Sequence, residues 1–252
     1  MELPAGAIRT REVLDWRGVH LLHYPMSSCS QKVRILLNEK RIDWVSHPVD
    51  LTKGEQRRDW YLGINPAGVV PVLVHDGHVW NESNDILAYL DHAFPSKAPY
   101  LPSSDAERRL AEELLRLEDG LHAHLRVVTF SFVMPGALMN HVFEPNEIEE
   151  AVRRFDEVLA ELDARLGEST CLCGDRVMLP DIAWFITLHR LVLAGYPPDR
   201  RPHLSRYHAA LLSRPAFRRE ANAGALLPKV IGHLYRSLNS LRGATLGDRL
   251  MA

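Results

Sequence analysis

The sequence predicts an α+β protein, with a mixed β-sheet domain followed by an all-helical domain. Residues 19–94 show a strand–helix–strand pattern and then a strand–strand–helix pattern, which together indicate one sheet with helices packed on it. Beyond residue 104, apolar residues recur at helical spacing instead. The stretch 94–104 contains three prolines and predicts the linker. We therefore predict a sheet domain over residues 19–94 and a helical domain over residues 105–242.

The order of elements in the first domain is β-α-β followed by β-β-α. In the first helix, Val33, Leu36 and Leu37 lie on one face. The pair Asp76-Gly77 lies between two apolar runs and suits a two-residue hairpin turn. We expect a four-stranded mixed sheet with helices on both faces. The predicted strands are residues 19–24, 44–49, 70–74 and 79–80, and the predicted helices are residues 30–40, 53–64 and 83–92.

The second domain is predicted to contain five helices. One opens with an Asn-x-x-Glu capping box (Asn146 and Glu149) and stops at Gly167. Another is apolar nearly all round, which predicts a helix buried in the middle of its domain. The predicted helices are residues 105–128, 146–166, 180–194, 203–219 and 226–241.

Composition excludes several classes of protein. The 30 basic and 32 acidic side chains give a net charge of −2 without a basic block, which argues against nucleic acid or an anionic membrane as the main partner. The apolar runs are too short for a membrane span, and the first ten residues do not read as a signal peptide. Three cysteines favour a reducing cytoplasm. Cys171 and Cys173 form a C-x-C that does not fit zinc, so we predict structural thiols and no metal.

Hydroxyl and thiol groups crowd the start of the first helix, at Ser27, Ser28, Cys29 and Ser30. Free N–H groups and the helix dipole favour negative charge there, so a cysteine pKa can fall below its usual ~8.5. The same place would hold the thiolate of a bound thiol cofactor. The alternative is that the serines only cap the helix and Cys29 is a small buried filler.

The segment Ser-Ser-Cys-Ser-x-x-Val-Arg, residues 27–34, resembles the catalytic segment of zeta-class glutathione transferases, the maleylacetoacetate isomerases. It also resembles the Ser-x-Cys-Ser segment of tetrachlorohydroquinone dehalogenases. Asp50 to Gln56, Asn65-Pro66, Val70-Pro71 and Glu82-Ser83 follow in the order of that superfamily. The resemblance implies a thioredoxin-like glutathione-binding domain, a helical second domain and a homodimer. It covers residues 19–94 closely and the helical part more weakly.

The resemblance also assigns roles along glutathione. Ser27 would hydrogen-bond the sulfur, with Cys29 close by as a second candidate. The backbone of Val70, before a cis Pro71, would pair with the cysteinyl part. The two ends would be bound by Gln56 and Lys53 at the glycyl carboxylate, and by Glu82 and Ser83 at the γ-glutamyl ammonium and carboxylate.

In the resembled fold, residues 127–143 face the glutathione sulfur. We therefore nominate Phe130, Phe132 and Met134 as lining of a pocket for the second substrate. Phe and Met also serve as plain core residues, and that alternative stays open.

The sequence departs from the family at two places. Met178 stands where a Ser or Thr usually caps the helix that holds Asp181. Loss of a cap costs ~1 kcal/mol of stability, so we expect compensation and assign Asp181 to structure.

The tail, residues 226–241, carries an apolar stripe that either packs back over the body or binds a partner or membrane surface. The ganglioside-induced differentiation-associated proteins, which extend this region into an anchor, share Ser-Gln-Lys-Val-Arg with this chain.

The resemblance implies an enzyme that activates the glutathione thiolate for attack on a hydrophobic electrophile. Conjugation, isomerisation and reductive dehalogenation all remain open. The alternative is a non-catalytic protein that keeps a glutathione site and uses its C-terminal helix for interaction.

Overall fold

A computed structural model describes residues 1–95, 99–136, 141–223 and 226–251. The chain divides into two compact units, Met1–Leu101 and Pro102–Ala252. The first unit holds the sheet and the second is helical, so the predicted α+β class is confirmed. Among the described helices, none is long and apolar enough to cross a membrane.

The sheet has five strands in the order β1-β5-β4-β2-β3. The pair β2 and β3 is parallel, and the other pairs are antiparallel. The prediction of four strands was wrong because residues before the first predicted strand also join the sheet. A two-residue strand is too short to show a period-two pattern in the sequence. The strands are β1 (Glu2–Leu3), β2 (Val19–His23), β3 (Trp44–Pro48), β4 (Val72–His75) and β5 (His78–Trp80).

Three α-helices accompany the sheet: α1 (Ser28–Glu39), α2 (Asp59–Leu62) and α3 (Ser83–Ala93). The single helix predicted over residues 53–64 is instead two 3-10 turns, Leu51–Lys53 and Glu55–Arg57, before the short α2. Gly54, between the two turns, has a φ of +67°, which a continuing right-handed helix does not allow.

The helical unit is built around one buried helix, as predicted. Trp184 of that helix is fully buried and donates from its indole N–H to the Leu114 carbonyl at 2.9 Å. The helices are α4 (Asp105–Gly120), α5 (His122–Val128), α6 (Pro145–Leu166), α7 (Leu179–Leu193), α8 (Pro202–Ser213), α9 (Pro215–Ala221), α10 (Leu226–Leu241) and α11 (Leu246–Met251).

Two predicted helices are each divided. The helix over residues 105–128 breaks after Gly120, a weak helix former, and its second part runs into a π-helical segment, Thr129–Val133. The helix over residues 203–219 breaks at Arg214, which is extended because Pro215 follows it. The last helix, α11, was not predicted.

The capping box predicted at Asn146 and Glu149 was also wrong. The N-cap of α6 is Glu144, whose backbone N–H donates to the Glu147 carboxylate at 2.8 Å. Pro145 occupies the first helical position, where its missing N–H costs nothing. The helix therefore starts one residue earlier than predicted, and it ends before Gly167 as expected.

The compensation expected around Met178 is provided by hydrogen bonds to Asp181. This carboxylate is fully buried and accepts from the backbone N–H groups of Leu172 (2.9 Å) and Met178 (2.7 Å). It also accepts from the Tyr207 hydroxyl at 2.7 Å. Asp181 is thus a structural group that ties α7, α8 and the preceding turn together.

The turn before α7 carries the two cysteines of the helical unit. Cys171 donates its N–H to the Gly174 carbonyl at 2.8 Å, and Cys173 lies between them in the turn. Both thiols are buried. Burial raises the pKa of Cys171 to about 11 and that of Cys173 to about 12.

Candidate functional site

The sheet topology brings the predicted site segments to one edge. Because β2 and β4 are antiparallel, with Leu22 opposite Val72, the end of β2 lies beside the start of β4. The end of β5 lies there too, since Trp80 pairs with Leu73. The end of β3 joins them because β3 runs parallel to β2. Four segments emerge at this edge: the one that leads to Ser27, residues 50–56, residues 70–71 and residues 82–83.

Ser27 is the N-cap residue of α1. Its hydroxyl oxygen accepts from the Ser30 N–H at 3.3 Å, and its own N–H donates to the Tyr24 carbonyl at 3.1 Å. A serine hydroxyl that accepts in this way still has a proton to donate. Cys29 is the second residue of α1 and is half-buried. The start of α1 therefore offers a hydroxyl donor and a thiol beside the positive end of a helix.

The loop between β2 and α1 is held by Arg34, a residue to which the sequence analysis gave no role. The buried guanidinium donates to the carbonyls of Tyr24 (3.2 Å) and Pro25 (2.7 Å) and contacts Nδ1 of His23 at 2.9 Å. Burial, and then the charge of Arg34, lower the pKa of His23 to about 4, so this imidazole is neutral at physiological pH. Arg34 thus fixes the backbone before Ser27 and adds a positive charge behind the helix start.

The Val70-Pro71 peptide bond is cis, as predicted. The carbonyl of the preceding residue, Val69, accepts from the Tyr61 hydroxyl at 2.7 Å and from the Asn65 side-chain amide at 2.9 Å. Tyr61 is fully buried, and burial raises its pKa. These two donors fix the backbone directly before Val70. Asn65 belongs to the Asn65-Pro66 motif of the sequence, whereas the sequence predicts no role for Tyr61.

Gln56 and Lys53 lie on the two 3-10 turns after β3. The Gln56 side-chain Oε1 is buried without a hydrogen-bond partner within the described part of the chain. The Gln56 carbonyl lies so close to Gly68 that a Cβ there would approach it to 3.2 Å, so this turn packs against the loop that leads to Val70. Lys53 is exposed, and its Nζ lies 3.3 Å from the Asp50 carboxylate.

Glu82 and Ser83 lie where β5 gives way to α3. Glu82 is exposed and has φ +61° and ψ 111°, a conformation that L-residues rarely adopt. Such strain costs about 1–3 kcal/mol and clusters at ligand-binding and active sites. Ser83 is buried as the first residue of α3. Next to it, the Asn84 side chain accepts from the buried ammonium of Lys32 at 3.2 Å, which ties α3 to α1.

The three nominated pocket residues lie in the helical unit, on and just after the π-helical segment. Phe132 is buried, whereas Phe130 and Met134 are half-buried. One face of α10 packs on this segment, since the Tyr235 hydroxyl donates to the Ser131 carbonyl at 2.8 Å. The tail helix therefore packs back on its own unit.

The other face of α10 leaves an apolar stripe exposed to solvent. Its large side chains lie three or four residues apart, which places them on one side of the helix. They are Val230, Leu234, Leu238 and Leu241.

The chain was compared with known proteins. A family model described as glutathione S-transferase, N-terminal domain, matches residues 26–93, and the corresponding C-terminal domain model matches residues 145–210. Glutathione S-transferase F10 of Arabidopsis thaliana is 32% identical over 213 residues, which are 82% of this chain and 98% of that protein. The chain belongs to the glutathione transferase family.

Further relatives support the same family membership. Maleylacetoacetate isomerase of Pseudomonas aeruginosa is 31% identical over 206 residues, 79% of this chain and 93% of that protein. The crystal structure of glutathione transferase F7 from Populus trichocarpa matches with a TM-score of 0.72 at 27% identity, and covers 81% of this chain and 97% of that one. The predicted superfamily and fold are thus confirmed. Relatives with different names match at similar identity, so similarity establishes the family and leaves the reaction open.

Proposed function

We propose that this protein binds glutathione at the sheet edge and activates its thiol for attack on a hydrophobic electrophile. Glutathione, when bound, supplies the nucleophilic sulfur. The observation that carries the proposal is the convergence of four segments at one edge, with Ser27 capping α1 beside them. Conjugation, isomerisation and reductive dehalogenation are the reactions that this chemistry allows.

The proposed work of the protein at the sulfur is to favour the thiolate. Ser27 would donate its hydroxyl proton to the sulfur, while its oxygen stays bonded to the Ser30 N–H. The N-terminus of α1 and the buried Arg34 add positive charge on the same side. Each unit by which the thiol pKa falls corresponds to ~1.4 kcal/mol. Cys29 would lie close enough to serve as a second thiol in a reductive reaction.

The remaining groups suit a peptide with two carboxylates. The amide nitrogen of the Gln56 side chain would donate to the glycyl carboxylate together with Lys53. The backbone of Val70, beside the cis Pro71, would pair with the cysteinyl part. At the other end, the strained Glu82 would accept from the ammonium and Ser83 would bind the carboxylate.

For the second substrate we propose a pocket lined by Phe130, Phe132 and Met134, because aromatic and thioether groups suit an apolar electrophile.

We also propose a homodimer, which the family resemblance supports, and a cytoplasmic location, which the small number of cysteines supports.

The deciding experiment is a pH titration of the ultraviolet absorbance of bound glutathione thiolate. We expect the thiol to ionise well below its pKa in free glutathione. Ser27→Ala should abolish the shift if the hydroxyl stabilises the sulfur, whereas loss of the shift in Cys29→Ser would assign that role to Cys29. If glutathione does not bind, or binds without a shift, the proposal is wrong.

A second candidate function is supported by the exposed stripe on α10. Large apolar side chains along one helix face are typical of interaction surfaces. A protein that binds glutathione without turnover, yet self-associates or binds a partner through this helix, would fit this alternative. Leu234→Glu with Leu238→Glu would then abolish the interaction without changing glutathione affinity.

A further inference from the structure

We propose that residues 1–15, called the lead segment, brace the backbone of the glutathione site from outside it. This inference rests on the proposed function. The sequence pattern predicts no role for the lead segment. In the structure it contacts the elements that precede Val70 and Glu82, and it carries none of the residues assigned to glutathione.

The first contact is with β5, the strand that leads to Glu82. The lead segment forms β1, which pairs with β5 so that Leu3 lies opposite Val79. The pairing continues to the residue before Glu82, because the Asn81 N–H donates to the Met1 carbonyl at 3.0 Å. Pairing with β1 therefore fixes the backbone that directly precedes the strained Glu82.

The second contact is with α2, which leads to the loop before Val70. The backbone N–H groups of Arg9 and Thr10 both donate to the Gly63 carbonyl, at 2.7 and 3.2 Å. The Thr10 hydroxyl donates to the Trp60 carbonyl at 2.6 Å. Three hydrogen bonds thus join this part of the lead segment to the end of α2.

The third contact is in the core. Ile8 and Val13 are 2% and 0% exposed, and they belong to the same buried cluster as Tyr61 and Val70. Tyr61 is the residue whose hydroxyl holds the Val69 carbonyl. Packing from the lead segment therefore supports a side chain that orients the backbone at Val70.

These contacts make the lead segment a positioning element. A binding site binds its ligand more tightly when its groups are held in the bound geometry beforehand, because less ordering has to occur on binding, and the surrounding residues hold them there. Displacing the lead segment removes none of the residues that are predicted to contact glutathione. Binding should still weaken, because the backbone at Val70 and Glu82 loses its support.

The test uses two matched glycine substitutions in the full chain. Gly63 has an ordinary helical backbone (φ −70°), but a Cβ there would lie 2.2 Å from the Thr10 hydroxyl oxygen and 3.1 Å from the Thr10 backbone nitrogen, so Gly63→Ala must displace the Thr10 side chain and crowd its backbone. Gly6→Ala adds the same methyl group within the lead segment, where nothing lies within 4 Å. Thr10→Val removes the hydrogen bond to Trp60 without a change in size, and replaces Gly63→Ala if that variant does not fold.

Two readouts are measured: the glutathione Kd by calorimetry, and amide hydrogen exchange of residues 65–70 and 81–83. We expect Gly63→Ala to raise the Kd about fivefold or more and to speed exchange in both segments, with Gly6→Ala unchanged. Equal Kd values for a folded Gly63→Ala and the wild type would overturn the inference, as would equal losses in both variants. A wild-type protein that does not bind glutathione overturns the proposed function instead, and the exchange readout then decides whether the brace exists.

Discussion

The hydrogen bond between Tyr207 and Asp181 gives a sharp test of how the helical unit is stabilised. Asp181 is fully buried, and the Tyr207 hydroxyl is the only side chain that donates to its carboxylate in the described part of the chain. Tyr207→Phe keeps the ring and its packing, and removes one hydrogen bond to a buried carboxylate. The loss of such a bond costs about 1.5–3 kcal/mol of unfolding free energy, because one lone pair of the acceptor is left without a partner in the core.

The matched control is Tyr196→Phe, in the same unit. Tyr196 also donates to a carboxylate, that of Asp156 at 3.0 Å, but Asp156 is 22% exposed and keeps two bonds from Arg200. We therefore expect Tyr196→Phe to lower the free energy of unfolding by less than about 1 kcal/mol. Urea unfolding followed by circular dichroism measures the free energy of unfolding of both variants. If Tyr207→Phe costs no more than Tyr196→Phe, the Tyr207 hydrogen bond is not one of the bonds that stabilise the buried Asp181 carboxylate.

Two further predictions concern the sheet unit. Burial and the charge of Arg34 lower the pKa of His23 from 6.5 to about 4, so this histidine is protonated at a higher pH in the unfolded chain than in the folded one. Neutral His23 therefore contributes its full stability above about pH 6.5. This contribution is lost as the pH falls toward 4, by up to about 3 kcal/mol of unfolding free energy. His23→Gln should flatten the fall in urea midpoint between neutral pH and about pH 5, and an unchanged slope would contradict this. Glu82→Gly should weaken glutathione binding through loss of the carboxylate, yet be at least as stable as Glu82→Gln, because glycine accepts φ +61° without strain. Thermal unfolding compares the two, and a glycine variant clearly less stable than the glutamine variant would argue against strain at this position.

Much of the sheet unit could be predicted from the sequence because its signals are local. The Asp76-Gly77 turn, the apolar face of α1 and the hydroxyl-rich helix start each mark an element within a few residues. The convergence of the site segments then follows from topology, since the ends of β2 and β5 must lie beside the start of β4. The resemblance supplied the residue roles, which remain predictions.

The parts that could not be predicted depend on tertiary contacts. Glu82 has a positive φ although glutamate gives no local signal for it. Tyr61 reads as one more apolar residue, and only the fold brings its hydroxyl to the Val69 carbonyl. In contrast, the break at Pro215 did carry a local signal, since the residue before a proline avoids helical geometry.

The burial of two of the three thiols has a practical consequence for labelling. With pKa values of about 11 and 12, Cys171 and Cys173 are thiolate in roughly one molecule in ten thousand or fewer at neutral pH, and burial also keeps bulky reagents away from them. Maleimides and alkylating agents should therefore modify the native protein at Cys29. The wild-type chain thus offers a single attachment point for a fluorophore or spin label at the N-terminus of α1, without any cysteine being removed by mutation.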